Sequence, residues 1–164
     1  MSAAPGSPAP VAVNLTLEEA QAVVAAGIVA AGGLGLQESI VVVDQGGHVL
    51  AAARMNGSFV AGIYGAEGKA RVAALLAKST MLTQEQAGAG GFLAPPVPSP
   101  TGAFAPVPTL ETLQGVFGIG RLNYSQGGVP LLRNGTVCVG AVGVGGSSSA
   151  NDQLVAQAAA LVIK

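Results

Sequence analysis

Residues 39–78 read SIVVVDQGGHVLAAARMNGSFVAGIYGAEGKARVAALLAK, and this stretch decides the fold. The β-branched run SIVVVD, bounded by glycine-rich segments, predicts a buried strand. The glycines of the QGGH turn provide the positive φ angles that a short hairpin loop requires, so HVLAAAR is predicted to be the partner strand. The MNGS turn then leads into a long helix of small residues, with Ser58 as its predicted N-cap.

Two further units are predicted on either side of this stretch. Upstream, Thr16 and Glu19 form a capping-box pattern that begins a helix, and the glycines at 32–33 end it. Downstream, the Asn134-Gly135 pair predicts a second hairpin, and Ser149 with Asp152 predicts the start of a last helix at about 150–163. Antiparallel hairpins that alternate with helices indicate an α+β layered domain.

The composition indicates one domain that associates with copies of itself. Half of the 164 residues are hydrophobic, only 9% are charged, and the net charge is −1. The length allows a sizeable core, but so few charges leave too little polar surface for a monomer. We therefore expect a homo-oligomer. The few basic residues are scattered, which argues against a nucleic-acid partner.

The ends and the cysteine content suggest a cytoplasmic protein. No apolar run approaches the roughly 18 residues that a membrane span needs. The start, MSAAPGSPAPVAVN, lacks the basic and apolar regions of a signal peptide. We expect residues 1–13 to form a disordered arm and residues 14–164 to form a single domain. The single Cys138 excludes an intrachain disulfide and a multi-cysteine metal site, so we predict a buried strand cysteine and no metal site.

A Pro- and Gly-rich insertion is predicted at about 83–109. A loop of this length in a compact domain is usually functional or disordered. Phe92, Leu93 and Phe104 argue against plain disorder, because a solvated linker has no use for apolar side chains. We interpret the insertion as a lid or an intersubunit arm.

Several segments in order resemble one known family. VVVDQGGHVLAAARMNG, GAEGKARVAAL and QGGVPLLRNGTVCVGAVGVGGSSSANDQLVAQA are similar in order and spacing to the GlcG/HbpS family of small haem-binding-like proteins. The resemblance covers residues 15–164 and implies a profilin-like α/β/α sandwich, with a central antiparallel sheet flanked by helices. Family members tend to form dimers or larger oligomers, and some bind or degrade haem. A related domain is the C-terminal domain of PduO-type corrinoid adenosyltransferases. The insertion at 83–109 looks longer than the family pattern.

The resemblance makes a small-ligand pocket the first functional hypothesis, with haem as the leading ligand. His48, the only histidine, is the candidate axial ligand, and the alternative is a polar turn residue. Tyr64 and Tyr124 are other possible axial ligands. We expect the pocket between the long helix, the turn at 126–130 and the Pro-rich insertion.

Other residues are predicted to bind the ligand in that pocket. Arg54 and Lys69 match the family's R-M-[DN]-G and K-A positions and would hold carboxylates of the ligand. Gly127 and Gly128 could offer backbone N–H groups to an anion. Tyr64 and Phe104 are also ligand-binding candidates. The structural alternatives are a strand-end arginine, a surface lysine and a tight glycine turn.

Two further functions stay open from the sequence. The first is a cofactor-free enzyme, an isomerase, cyclase or hydro-lyase acting on an apolar carboxylate or carbonyl compound, with Lys69 and Glu67 transferring protons. The alternative interpretation of Glu67 is a surface ion pair with Arg71, four residues later. The second is a structural or sensory oligomer, in which the glycines serve only packing.

Overall fold

The computed structural model describes residues 14–81, 97–98, 104–105 and 122–164. The elements in chain order are α1 (Leu17–Gly33), β1 (Ser39–Asp44), β2 (Val49–Arg54), α2 (Gly62–Leu76), β3 (Val97–Pro98), β4 (Phe104–Ala105), β5 (Gly128–Arg133), β6 (Val137–Gly145) and α3 (Ser149–Ala160). The predicted N-terminal arm lies outside the described residues, and so does most of the predicted insertion. No helix in the described ranges has the length and apolarity that a membrane crossing needs.

The main sheet has four antiparallel strands in the order β2-β1-β6-β5. Ser39 pairs with Gly145 at one end of the sheet, and Asp44 pairs with Gly140 at the other. We call these the Ser39 end and the Asp44 end. β1 and β6 form the centre of the sheet, and nearly all of their residues are buried, as the unbroken β-branched run of β1 predicts. The short strands β3 and β4 pair with each other in a separate ribbon.

Alternate residues of the central strands face two different helical layers. On one face, Val41, Val43 and Ala141 pack against the alanines of α2. On the other face, Ile40 and Val42 of β1 and Val139, Val142 and Val144 of β6 pack against α1 and α3. This arrangement confirms the predicted α+β class, an α/β/α sandwich around an antiparallel sheet.

Glycines in β6 allow α2 to lie directly on the sheet. A Cβ atom at Gly143 would collide with the carbonyl oxygen of Ala66, and one at Gly145 would lie 3.0 Å from the amide nitrogen of Ala66. Only a residue without a side chain leaves room for this close approach. The small-residue pattern of α2 is therefore explained by helix–sheet packing.

The helix starts agree only in part with the sequence. The predicted capping box of α1 is confirmed, because Thr16 and Glu19 exchange hydrogen bonds. The predicted N-cap of α2 is wrong: Ala61 occupies that position, and the buried Ser58 hydroxyl lies 3.1 Å from that of Ser39. α3 begins one residue earlier than expected, with Ser148 as its N-cap, and it ends at Ala160.

Candidate functional site

A buried ion pair joins the two helical layers at the start of β5. The Nζ atom of Lys69, on α2, lies 2.6 Å from Oδ2 of Asp152, in the first turn of α3. Nζ also donates to the carbonyl oxygen of Val144 at 3.0 Å. The two side chains are only 5% and 3% exposed. Lys69 therefore contacts a carboxylate of the protein itself, and its role in holding a ligand's carboxylate stays a prediction.

The two glycines before and at the start of β5 make room for this pair. Gly127 has φ +120°, and a Cβ atom there would lie 2.8 Å from Cβ of Asp152 and 3.1 Å from Nζ of Lys69. The N–H of Gly127 donates to Oε1 of Gln153 at 2.9 Å, and the N–H of Gly128 donates to Oγ1 of Thr80 at 2.8 Å. Both N–H groups are thus bonded to side chains of the protein, and their binding of an anion stays a prediction.

A second buried carboxyl group, Glu38, lies beside the ion pair. Glu38 precedes β1, is 0% exposed, and has no hydrogen-bond partner for either carboxyl oxygen among the described residues. Burial raises the pKa of Glu38 from 4.5 to about 7, and the negative charge of Asp152 adds to this rise, while Lys69 opposes it. We call Glu38, Asp152 and Lys69 the buried charge cluster.

The sequence interpretation missed Glu38 and treated Asp152 only as a helix N-terminal carboxylate. A signal for Glu38 was available, because it directly precedes the fully buried run of β1. The burial of that strand extends back by one residue and includes the carboxyl group. A charged residue next to an unbroken β-branched strand is therefore a candidate buried charge.

A cleft of about 550 Å³ lies next to the buried charge cluster, at the Ser39 end of the sheet. Its lining residues come from the segment before β1, the turn after β2 and the segment after β6: Gly35, Leu36, Gln37, Gly57, Phe59, Gly146 and Ser147. A Cβ atom at Gly146 would lie 2.6 Å from Oε2 of Glu38. The N–H of Ser147 donates to Oδ1 of Asp152 at 3.2 Å. The cluster thus lies directly behind the Gly146–Ser147 wall of the cleft.

The Asp44 end of the sheet carries an exposed histidine that is held by a carboxylate. Nδ1 of His48 lies 3.1 and 3.2 Å from the two carboxylate oxygens of Asp44. Oδ1 of Asp44 also accepts the N–H groups of Gly46 at 2.8 Å and His48 at 2.9 Å, so Asp44 braces the hairpin turn. The His48 side chain is 80% exposed, and its Nε2 has no partner among the described residues.

A cavity of about 360 Å³ borders His48. It is lined by residues that precede α1 and residues of the β1–β2 hairpin: Asn14, Leu15, Asp44, Gln45, Gly46, His48 and Leu50. Within the described ranges, no group of three or more histidine, cysteine or acidic side chains is placed to hold a metal ion.

The structure separates the two residues that were predicted to transfer protons. Glu67 forms an ion pair with Arg71 at 2.6 Å, and Nε of Arg71 donates to the carbonyl oxygen of Gly47 at 3.0 Å. Lys69 is paired with Asp152 instead. Glu67 and Arg71 thus form the expected pair, but with 14% and 18% of their side chains exposed the pair is partly buried rather than on the surface. Proton transfer by Lys69 and Glu67 stays a prediction.

The remaining candidates occupy separate places. Arg54 donates from Nη1 to the carbonyl oxygen of Ser58 at 3.1 Å, as its structural alternative predicts. Tyr64 is 54% exposed, whereas Tyr124 is 6% exposed, and its burial raises the pKa of its hydroxyl. Phe104 lies in β4, of which only the backbone pairing is described.

Cys138 lies in β6, as predicted, and is half-buried rather than fully buried. Its Sγ donates to the carbonyl oxygen of Gly140 at 3.4 Å. Burial raises the pKa of the thiol, which keeps it protonated at neutral pH.

Together, the fold and these two sheet ends define a class: small α/β/α sandwiches with ligand-sized cavities at the ends of an antiparallel sheet. The family model described as "Haem degrading protein HbpS-like" matches residues 15–161. The chain belongs to this family.

Solved structures agree with this assignment. The chain is similar to protein ORFY of Klebsiella pneumoniae, with 29% identity, a TM-score of 0.71, and 98% of this chain and 97% of that chain covered. It is also similar to a double mutant of HbpS from Streptomyces reticuli, with 26% identity, a TM-score of 0.69, and 100% and 99% covered. A complex of PduOC with haem shares the fold, at 21% identity, a TM-score of 0.70, and 92% and 96% covered. No curated protein sequence gives a significant match.

Proposed function

We propose that this protein binds haem, with His48 as the axial ligand of the iron. The observation that carries the proposal is the contact between Nδ1 of His48 and the Asp44 carboxylate, at 3.1 and 3.2 Å. Metal-binding histidines usually donate their second ring N–H to a carboxylate or carbonyl group, which fixes the tautomer and the ring orientation. The family description, which names haem degradation, supports the same ligand.

The surroundings of His48 fit this role. With Nδ1–H donating to Asp44, the lone pair of Nε2 is available to a metal. The adjacent cavity of about 360 Å³ is bordered by Leu15 and Leu50, which offer apolar surface to a macrocycle. When bound, haem supplies an iron centre for redox and oxygen chemistry. The contribution of the chain is to hold the imidazole in place and to provide the apolar cavity.

Absorption spectroscopy tests the proposal. Haem added stepwise to the purified protein should give a Soret band that saturates at a defined ratio of haem to protomer. His48→Ala should abolish or shift this band, because it removes the axial nitrogen. Tyr64→Phe, the matched control for an alternative axial ligand, should leave the band unchanged. A wild-type spectrum equal to that of free haem, or an unaltered band in His48→Ala, would contradict the proposal.

We also keep the homo-oligomer as a proposal. Large apolar side chains are exposed on several elements, among them Val29 at 75%, Val60 at 74% and Leu161 at 74%. Such surface, together with a charged fraction of only 9%, favours burial against another copy of the chain. Sedimentation equilibrium would measure the mass of the assembly, and a monomer at micromolar concentration would contradict this expectation.

A further inference from the structure

The proposed haem site leaves the buried charge cluster without a function. Glu38, Asp152 and Lys69 come from three different parts of the fold and are 0%, 2% and 4% exposed. The cluster holds two carboxyl groups and one ammonium group. Ionising two desolvated carboxyl groups beside a single cation costs much free energy. The electrically neutral state of the cluster therefore carries one proton on the carboxyl pair.

The geometry shows which carboxyl group holds that proton. Asp152 has its ammonium partner, Lys69, at 2.6 Å and also accepts the N–H of Ser147. Glu38 has no hydrogen-bond partner for its oxygens among the described residues. A carboxylate that receives hydrogen bonds is stabilised in its charged form, and one that receives none is not. The proton therefore belongs on Glu38.

Among the described neighbours, Lys69 is the cation that acts on the Glu38 carboxyl group. Asp152 on α3 and Lys69 on α2 act on it electrostatically, with opposite signs. From the turn after β2, the neighbours are uncharged: the Ser58 hydroxyl lies beside the same Gly146 position, and the sulfur of Met55 accepts the Glu38 N–H at 3.4 Å.

The wall of the cleft is the part of the structure that depends on this proton. The main chain of Gly146 passes close to the Glu38 carboxyl group, since a Cβ atom there would lie 2.6 Å from Oε2, and Gly146 has φ +143°. The next residue, Ser147, is held by Asp152. An ionised Glu38 would repel Asp152 and would need hydration by water. Because the Gly146–Ser147 wall lies between the carboxyl group and the cleft, water from the cleft can reach Glu38 only if this wall moves.

We propose that the Glu38–Asp152 carboxyl pair is a proton switch for the cleft: the proton on Glu38 keeps the Gly146–Ser147 wall in place, and its loss releases the wall. The raised pKa of Glu38, about 7, sets the transition near neutral pH. The switch does not depend on haem, because it involves the opposite end of the sheet from His48.

A tryptophan placed in the cleft would report the switch. The chain contains no tryptophan, and Phe59 lines the cleft with 66% of its surface exposed. In Phe59→Trp, emission measured from about pH 5 to pH 9 should change in a single one-proton step with a midpoint near 7. Adding Glu38→Gln keeps the shape of the side chain and removes its charge. The double variant should keep the low-pH emission across the range.

A variant without the histidine and a second measurement make the test decisive. To exclude a contribution from the imidazole of His48, the step must also persist in Phe59→Trp with His48→Gln. The protection factor of the Ser147 amide, which is the intrinsic exchange rate at each pH divided by the observed rate, should fall above the same midpoint in the wild type and stay constant in Glu38→Gln. The proposal is overturned by a step that survives Glu38→Gln, by a step that His48→Gln removes, or by pH-independent emission together with a pH-independent protection factor.

Discussion

Each end of the sheet carries an aspartate that contacts a nitrogen-bearing side chain, in opposite surroundings. At the Ser39 end, Asp152 and Lys69 lie 2.6 Å apart with 3% and 5% of their side chains exposed. At the Asp44 end, Asp44 and His48 lie 3.1 Å apart with 33% and 80% exposed. Removing one partner of a buried ion pair leaves an uncompensated charge, whereas the exposed imidazole of His48 is accessible to a ligand. Burial and residue type together therefore distinguish the structural pair from the candidate ligand site.

The largest effect should come from breaking the buried pair. Lys69→Met keeps an unbranched apolar chain but leaves two carboxyl groups without a cation. We expect the free energy of unfolding to fall by about 4 kcal/mol, since removing one partner of a buried ion pair leaves an uncompensated charge. Urea denaturation followed by circular dichroism measures the loss. The matched control, His48→Ala, should cost no more than about 1 kcal/mol, because its contact with Asp44 is exposed to solvent. Equal losses in the two variants would refute the comparison.

A smaller effect should appear in the pH dependence of stability. The pKa of Glu38 is about 7 in the folded protein and 4.5 when unperturbed, so the folded state binds this proton more tightly. The stabilisation is fully present below pH 4.5, decreases as the pH rises, and is lost above pH 7. The total change from this group is roughly 3 kcal/mol.

The comparison of wild type with Glu38→Gln isolates this contribution, because all other titrating groups are shared. We expect the free energy of unfolding of the wild type, relative to that of Glu38→Gln, to be highest at low pH and to fall as the pH rises. Denaturation at several pH values would measure it. Parallel stability curves from pH 4 to pH 8 would show that Glu38 is not the group responsible.

The smallest effect should be confined to the Asp44 end. Asp44→Asn keeps the size of the side chain but weakens its hold on Nδ1 of His48. Loss of such an outer partner typically lowers metal affinity about tenfold or more, so haem affinity should fall by about that factor. Competition for haem, followed by absorbance, measures the change. Tyr64→Phe, the control of the haem titration, should leave haem affinity unchanged.

Local sequence signals predicted the fold well. The β-branched run of β1, the glycine hairpin and the Thr16–Glu19 capping box each specify their own segment, and the structure contains all three. One local prediction was wrong where a distant residue intervened. The Ser58 hydroxyl contacts that of Ser39, 19 positions earlier, and does not cap α2.

The buried charge cluster could not be predicted because its members meet only through the tertiary structure. Lys69 and Asp152 are 83 positions apart and approach from opposite faces of the sheet. The hydrogen-bond partners of the Gly127 and Gly128 N–H groups could not be predicted either, since a glycine turn does not reveal which side chains accept its N–H groups. In retrospect, a lysine on a helix of small residues and a glutamate before a buried strand were unusual enough to suggest a shared buried site.

The haem titration of wild type and His48→Ala tests the central claim most directly, because that claim is that the exposed pair at the Asp44 end is the ligand site. The account predicts a saturable Soret band in the wild type and its loss or shift in His48→Ala. A band that is identical in both proteins would place haem elsewhere on the molecule, and no band in either would remove haem as the ligand.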